Sequence, residues 1–253
     1  MLTTIRLHSA KTDVSFVPLV SMASLLLIQT GTADGRVLER HGDYPEQFAR
    51  GLGLETLPVI DARTETPLPD PTTLGGVVVT GSASMVTDRE PWSERLGAWL
   101  AAAVAAGTPT LGVCYGHQLL AHALGGEVGW NPTGPHLGPD AVSLTQEGLQ
   151  DPLLSGLPDI QFFDHAQQIL RLPAGAEPLA HSPGVAPAAI RFAPRAWGVQ
   201  FHPEWSPAIF RDVLRESPEL LAGDGRDPEL LPLPTSWPGR PLLRRFLELA
   251  CDR

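Results

Sequence analysis

Short apolar runs alternate with longer segments of helical periodicity through the first half of the chain. The candidate strands lie at 25–29, 56–60, 76–80 and 109–113, and they are rich in Leu, Val and Ile. Continuous apolar runs of this length, separated by amphipathic segments, are typical of a parallel sheet with helices on both faces. The pattern therefore predicts an α/β fold.

One helix is predicted between the third and fourth strands, over 91–107. It opens with Pro91 at a first-turn position, carries Glu94 early and ends on Gly107. Its large apolar side chains recur at helical spacing and are expected on a face that packs into the core. They are Trp92, Leu96, Trp99, Leu100 and Val104.

The second half has shorter apolar runs punctuated by Pro and Gly, which favours a mixed or antiparallel extension of the sheet. These candidate strands are 141–145, 160–164, 177–181, 188–192 and 197–201. Proline concentrates at 67–71 and again at 218–241, and both stretches are predicted to be loops. The second is expected to form a surface excursion before a last helix at 241–251.

Composition and charge narrow the classes of function. The formal net charge of -10, without a basic stripe, disfavours nucleic acid and anionic membrane surfaces as partners. Only two cysteines occur and they form no C-x-x-C pair, so we expect no disulfide framework, no metal site and a cytoplasmic protein.

The N-terminal region allows two interpretations. The apolar segment 16–28, with Arg6 and Lys11 upstream, resembles the core of a signal peptide, but 25–29 is better explained as the first buried strand. We therefore expect residues 1–22 to be a leader or disordered, with Met22 as an alternative start, and residues 23–253 to form a single domain. No apolar run reaches the roughly 18 residues of a membrane span.

Cys114 follows a predicted buried strand and precedes a helix that begins near Gly116 and closes on Gly125. Such a strand-to-helix elbow exposes a nucleophile at the carboxyl end of the strand, and flanking glycines allow the backbone to approach closely. The helix N-terminus would also stabilise a thiolate. Cys114 is therefore predicted to be a catalytic nucleophile rather than a buried core residue.

His202 and Glu204 follow the last predicted strand, in the segment WGVQFHPEW at 197–205. Residues two apart on an extended segment point to the same side, so the carboxylate can hold the imidazole in the tautomer that accepts a proton from the thiol. The pattern predicts nucleophile, base and orienting carboxylate in Cys114, His202 and Glu204.

The two segments GVCYGHQLLA and GVQFHPE, in this order, resemble those of the triad (class I) glutamine amidotransferases, closest to the stand-alone, GMP-synthase-like branch. The resemblance runs from about Leu25 to Phe210. It implies a flavodoxin-like fold, a γ-glutamyl thioester on Cys114 and no cofactor. By the same resemblance, the backbone amides of Tyr115 and Gly81 are the expected oxyanion donors, although Ser82 departs from the usual glycine-rich turn.

Substrate-binding residues are also expected from the resemblance. Gln118 matches the glutamine that binds the amino acid end of the substrate in relatives. The stretch containing His165 falls where many relatives have His-x-Asp near the glutamine pocket, but here Gln167 replaces the acid. Either Asp164 substitutes for that acid, or the pocket binds something other than free glutamine.

The sequence is compatible with three functions. The first is a glutaminase that supplies ammonia to a separate synthetase, since the glutaminase region fills the chain. The second is a self-sufficient hydrolase of γ-glutamyl amines or peptides, which would use the same thioester. The third, a binding module without turnover, is disfavoured by the intact Cys, His and Glu. Near Tyr44, Asp88 and Glu90 we expect helix capping rather than ligand contacts.

Overall fold

The structure is a computed structural model, and it describes residues 25–217 and 227–252. The predicted leader at 1–22 and residues 218–226 of the predicted excursion lie outside this range. The strands are β1 Leu25–Gln29, β2 Val59–Asp61, β3 Gly76–Val79, β4 Thr110–Val113, β5 Glu127–Trp130, β6 His136–Ala141, β7 Ser143–Leu144, β8 Ile160–His165, β9 Gln167–Arg171, β10 Glu177–Ser182, β11 Val185–Ala193 and β12 Ala196–Val199. The helices are α1 Gly35–His41, α2 Tyr44–Leu52, α3 Pro91–Ala105, α4 Tyr115–Ala123, α5 Gln146–Gln150, α6 Pro207–Glu216 and α7 Arg240–Cys251.

Within the described residues, the central sheet has eight strands in the order β2-β1-β3-β4-β12-β11-β10-β7. The first five of these are parallel to their neighbours, and the last three join by antiparallel pairing. Two short antiparallel pairs, β5 with β9 and β6 with β8, lie outside this sheet. The predicted α/β fold, a mostly parallel sheet with an antiparallel extension, is confirmed.

Helices cover both faces of the sheet because successive strand residues point to opposite sides. In β1, Leu25 and Leu27 pack into a core with α2 and α7, whereas Leu26 and Ile28 pack against α3 and α4. Every residue of β1, β3, β4 and β12 is buried. A third cluster joins α1 and α6 to β6 and β8.

Several predicted boundaries are wrong. The strand predicted at 56–60 is found at Val59–Asp61, since Pro58 has no N–H for a ladder and the strand begins after it. In the second half, β5, β6 and β9 were not predicted, nor was the short helix α5, capped by the Thr145 side chain. Before the predicted last helix, only strands and loops were expected in this half, so α5 and α6 contradict that expectation.

The sheet topology brings the chemically interesting segments to one edge. Strands β3, β4 and β12 are neighbours, and each ends at the same side. They are followed respectively by the turn at Gly81, by Cys114, and by the segment that carries His202 and Glu204. The carboxyl edge of a parallel sheet is the usual place for a ligand site in such folds.

Candidate active site

Cys114 connects β4 to α4 in an unfavourable backbone conformation. Its φ of 50° and ψ of -102° place a non-glycine residue at positive φ, where the Cβ is crowded. The backbone amide is held by the carbonyl of Val199 at 2.9 Å, and the thiol donates to the carbonyl of Asp164 at 3.4 Å. Cys114 therefore occupies the elbow that the sequence predicted, with its sulfur directed into the space between β4, β8 and β12.

The glycines around Cys114 are required by close backbone contacts. A Cβ on Gly112 would lie 2.5 Å from the carbonyl carbon of Gly116. A Cβ on Gly116 would lie 2.6 Å from the carbonyl oxygen of Val79. Helix α4 therefore begins in direct contact with the sheet, which a larger residue at either position would prevent.

His202 and Glu204 form a buried hydrogen-bonded pair. The imidazole Nδ1 lies 2.7 Å from Glu204 Oε1, and the Glu204 side chain is completely buried. The second oxygen, Oε2, has no hydrogen-bond partner among the described residues. This contact fixes the orientation of the ring, so the predicted relation between these two residues is present in the structure.

Gly81 lies close to both His202 and Cys114. A Cβ on Gly81 would be 3.0 Å from His202 Cε1 and 3.6 Å from the Cys114 Cβ. The carbonyl of Gly81 accepts hydrogen bonds from the hydroxyls of Thr30 and Thr80, both at 3.0 Å. Gly81 is therefore a point of close approach to both side chains, and the hydrogen bonds from Thr30 and Thr80 fix its carbonyl.

Electrostatics favour a protonated imidazole at His202. Burial acts to lower its pKa, but the charges of Glu204 and Cys114 outweigh burial and raise the pKa well above 6.5. Asp164 and His165 also interact electrostatically with His202, and the pKa of Asp164 is raised, chiefly by burial. The imidazole can therefore hold a proton received from the thiol at neutral pH.

Trp205 covers one face of the His202 ring. The two ring centroids are 3.7 Å apart and the planes differ by only 4°. Trp205 is itself buried, and its amide donates to the His202 carbonyl at 3.3 Å. The indole excludes water from that face and restricts rotation of the imidazole. Sequence analysis missed this role, although Trp205 directly follows Glu204.

A cavity of about 270 Å³ opens onto Cys114 and brings together most of the predicted site residues. Gly81 and Glu204 are not among its lining residues. The lining residues are Asp34, Tyr44, Ser82, Ala83, Ser84, Met85, Cys114, Tyr115, Gln118, Asp164, His165, Ala166, Gln167, His202 and Trp205.

Tyr115 begins α4, so its amide has no intrahelical acceptor. Its side chain points away to Ser93, whose hydroxyl lies 2.6 Å from the Tyr115 hydroxyl. Gln118 uses its amide nitrogen internally, donating to the carbonyl of Gln167 at 2.7 Å and to Gln200 Oε1 at 3.1 Å. Gln118 therefore joins α4 to the cavity wall.

His165 and Gln167 present hydrogen-bond acceptors that no described residue uses. The Nδ1 of His165 lies 3.2 Å from the carbonyl of Gln167, so it carries the proton and leaves Nε2 as the acceptor. Gln167 donates its amide nitrogen to Thr87 at 2.6 Å, which leaves Oε1 as the acceptor. Both atoms are buried without a partner. Burial, followed by the charge of His136, lowers the pKa of His165 to about 4, so the ring is neutral.

Tyr44 is a residue of the cavity wall that sequence analysis assigned only to capping. Asp43 does cap α2: together with Glu46 it forms a capping box. The Tyr44 side chain, however, lines the cavity. Burial, then the charges of Glu204 and Cys114, raise the pKa of Tyr44, so its hydroxyl stays protonated.

The expected capping of α3 by Asp88 or Glu90 is not observed. Glu90 occupies the N-cap position, but its side chain makes no capping hydrogen bond. Its carboxylate instead accepts from the indole Nε1 of Trp92 at 2.7 Å. Asp88 ends a short 3₁₀ turn that precedes the helix.

A family model for glutamine amidotransferase class-I matches residues 50–216. The chain is 38% identical over 177 residues to a glutamine-hydrolysing GMP synthase from Aeropyrum pernix, covering 66% of this chain and 32% of that protein. It is 35% identical over 162 residues to a gamma-glutamyl-L-1-hydroxyisopropylamide hydrolase from a Pseudomonas species, covering 59% of this chain and 54% of that protein. The chain thus spans about a third and about half of these relatives.

Solved structures agree with the fold. A glutamine amidotransferase from Thermotoga maritima superposes with a TM-score of 0.70 at 21% identity, covering 91% of this chain and 99% of that one. Another from Methylobacillus flagellatus gives a TM-score of 0.67 at 24% identity, covering 89% and 94%. The fold is that of an α/β protein with a mostly parallel sheet. The chain belongs to the class I glutamine amidotransferase family, and it is of the GMP-synthase-like type.

Within residues 25–217 and 227–252, no helix is long and apolar enough to cross a membrane. No group of three or more His, Cys, Asp or Glu residues there has the arrangement of a metal site.

Proposed function

We propose that the chain hydrolyses the side-chain amide of glutamine through a γ-glutamyl thioester on Cys114. The observation that carries the proposal is the arrangement of three neighbouring groups, two of which line the cavity. A thiol on an elbow at positive φ faces an imidazole, and a buried carboxylate holds that imidazole at 2.7 Å. This combination supplies a nucleophile, a proton carrier and an orienting group.

The proposed reaction has two halves. In the first, Cys114 gives its proton to His202 and its sulfur bonds to the γ-carbonyl carbon, forming a tetrahedral oxyanion. His202 then passes the proton to the amide nitrogen and the C–N bond breaks. Ammonia departs, and the γ-glutamyl group remains on Cys114 as a thioester. In the second half, His202 takes a proton from water and the hydroxide oxygen bonds to the thioester carbon. The C–S bond then breaks, His202 gives its proton to the sulfur, and glutamate leaves.

The other proposed site residues stabilise the substrate or the oxyanion. The amides of Tyr115 and Gly81 are the proposed oxyanion donors, on the two turns that flank Cys114. Gln118, His165 and Gln167 are the proposed substrate-binding residues. The unused acceptors on His165 and Gln167 suit an N–H donor, such as the amino group of the glutamyl part.

We propose that the ammonia passes to an acceptor synthetase, which the described residues do not include. The similarity to glutamine-hydrolysing GMP synthases supports this, since their name couples glutamine hydrolysis to a synthesis. We also propose that residues 23–253 form one domain and that the protein is cytoplasmic. The proposed cytoplasmic location rests on the chain's two unpaired cysteines.

A second candidate is a stand-alone hydrolase of γ-glutamyl amines. Two observations favour it: the similarity to the Pseudomonas hydrolase, and Gln167 in place of the acid common among relatives. Both candidates use the same thioester and differ in the leaving amine. Substrate preference separates them.

The test compares Cys114→Ala with Cys251→Ser, the matched change at the only other cysteine of the chain. Release of ammonia from glutamine, and of amine from γ-glutamyl alkylamides, is measured by mass spectrometry. We expect Cys114→Ala to abolish turnover and Cys251→Ser to retain it. A glutamine-like diazo-ketone should alkylate Cys114 alone. Unchanged turnover in Cys114→Ala would refute the mechanism, and hydrolysis of alkylamides with glutamine ignored would favour the second candidate.

A further inference from the structure

A short segment near the C-terminus, Trp237 to Gly239, touches the backbone between the proposed base and its carboxylate. The indole Nε1 of Trp237 donates to the carbonyl oxygen of Pro203 at 2.9 Å. A Cβ on Gly239 would lie 2.2 Å from the Cα of Pro203, so backbone packs directly on backbone there. This segment lies beyond the range 50–216 that the family model matches.

Pro203 is the one residue between His202 and Glu204, so its torsions decide how these side chains meet. The pyrrolidine ring restricts φ to about -65°. The remaining freedom is ψ, and rotation about ψ turns the Pro203 carbonyl and Glu204 together. A hydrogen bond to that carbonyl therefore restricts the direction of Glu204, and with it the 2.7 Å contact to His202.

The segment is well placed to act as a fixed support. Helix α7 follows it at once and is anchored in the main core by Leu242, Leu243 and Phe246. The Trp237 ring packs on α2 where Gly51 has no side chain, since a Cβ there would lie 3.3 Å from Cζ2.

The opposite side of the same turn is held by β8. The carbonyl of Phe162 accepts the amide of His202 at 2.8 Å. The neighbouring Gln161 donates to the carbonyl of Pro238 at 3.5 Å. Strand β8 and the Trp237 segment therefore contact each other as well as the turn they enclose.

We propose that Trp237 is a positioning residue for the His202–Glu204 pair, acting through the carbonyl of Pro203. The proposal rests on the proposed function in one respect, namely that this pair serves Cys114. Trp237 lies outside the range that the family model matches, and its substitution is expected to affect catalysis. It does not place Trp237 in contact with the substrate.

The test replaces only the hydrogen-bond donor. Trp237→Phe keeps an aromatic ring over Gly51 but loses the indole N–H. The matched control is Trp99→Phe. Trp99 lies in α3, is similarly half-buried, and donates to another proline carbonyl, that of Pro69, at 2.7 Å. Both changes are made in a Cys251→Ser background, so that Cys114 is the one remaining thiol.

The first measurement is the rate of Cys114 alkylation by iodoacetamide against pH, which requires no substrate. The transition that His202→Gln abolishes reports the protonation of His202. We expect Trp237→Phe to move this transition to lower pH. Burial lowers the pKa of His202 and the charge of Glu204 raises it, so a looser contact with Glu204 should leave the pKa lower. Trp99→Phe should leave the transition in place.

The second measurement is steady-state hydrolysis of glutamine. Trp237→Phe should lower kcat about tenfold with little change in KM, as expected for a misplaced base. Wild-type behaviour of Trp237→Phe in both assays, or equal losses in the two tryptophan variants, would overturn the proposal. A shifted alkylation profile in a protein that hydrolyses no γ-glutamyl compound would support positioning while refuting the proposed function.

Discussion

His117, in the first turn of α4, should make the stability of the fold depend on pH. It is completely buried, and its Nδ1 packs on the backbone of Gly198, where a Cβ would lie 2.4 Å away. Burial, followed by the charge of His165, lowers the pKa of His117 to about 3. In the unfolded chain a histidine titrates near 6.5, at about its ordinary value.

The sign of the effect follows from which state binds the proton. Between about pH 6.5 and 3 the unfolded chain binds a proton that the folded protein excludes, so acidification favours unfolding. The contribution of His117 is fully present above the unfolded pKa and is lost as the pH falls towards the folded pKa. A pH of about 5 lies about 1.5 pH units below the pKa of the unfolded state, which corresponds to a loss of about 2 kcal/mol in the free energy of unfolding.

The assay is urea unfolding at about pH 7.5 and about pH 5, where the free energy of unfolding is measured for three proteins. These are the wild type, His117→Met, and the control Leu119→Met in the same helix, which is equally buried and carries no titrating group. Between the two pH values, wild type should lose about 2 kcal/mol more than His117→Met, and Leu119→Met should follow wild type. Equal losses in all three would show that the folded protein protonates His117 normally.

Two further predictions concern the proposed machinery. Gly81→Ala places a Cβ 3.0 Å from the His202 ring, whereas the control Gly97→Ala meets nothing closer than 3.6 Å. Gly81→Ala should therefore cut kcat for glutamine hydrolysis about 100-fold with the fold intact by circular dichroism, and equal activity of the two variants would contradict this. Glu204→Gln removes the charge that offsets burial at His202, so the pKa of His202 should fall. The alkaline limb of the kcat/KM profile should move to lower pH, with kcat reduced about 10³-fold; an unmoved limb would contradict the assigned role.

Apolar strands of the sheet were predictable because burial on both faces leaves a continuous hydrophobic run. The first strand, Leu25–Gln29, has the predicted bounds and is wholly buried. The strands that were missed, such as β5 and β6, contain Gly, Pro or exposed positions and pair with β9 and β8 far along the chain. Their stability comes from tertiary pairing, which local periodicity does not record.

Candidate site residues were predictable where residues that act together are also neighbours in the sequence. Cys114 lies between the glycines that shape its elbow, and Glu204 is two residues from His202. Tyr44 reaches the same cavity from the start of α2. In sequence its neighbour Asp43 explains the local pattern through capping alone, so no signal for a cavity role was available.

The segment from Trp237 to Gly239 shows why the spacing of a motif does not determine its geometry. A His-Pro-Glu sequence places base and carboxylate two residues apart and fixes one torsion through the proline ring. The second torsion is left to whatever contacts the proline carbonyl, and here that contact comes from Trp237, ahead of the last helix. The sequence of the motif therefore predicts which groups meet, whereas the accuracy of their alignment depends on a residue that only the folded chain brings near. Substitutions in this segment should for that reason lower kcat more than they change KM.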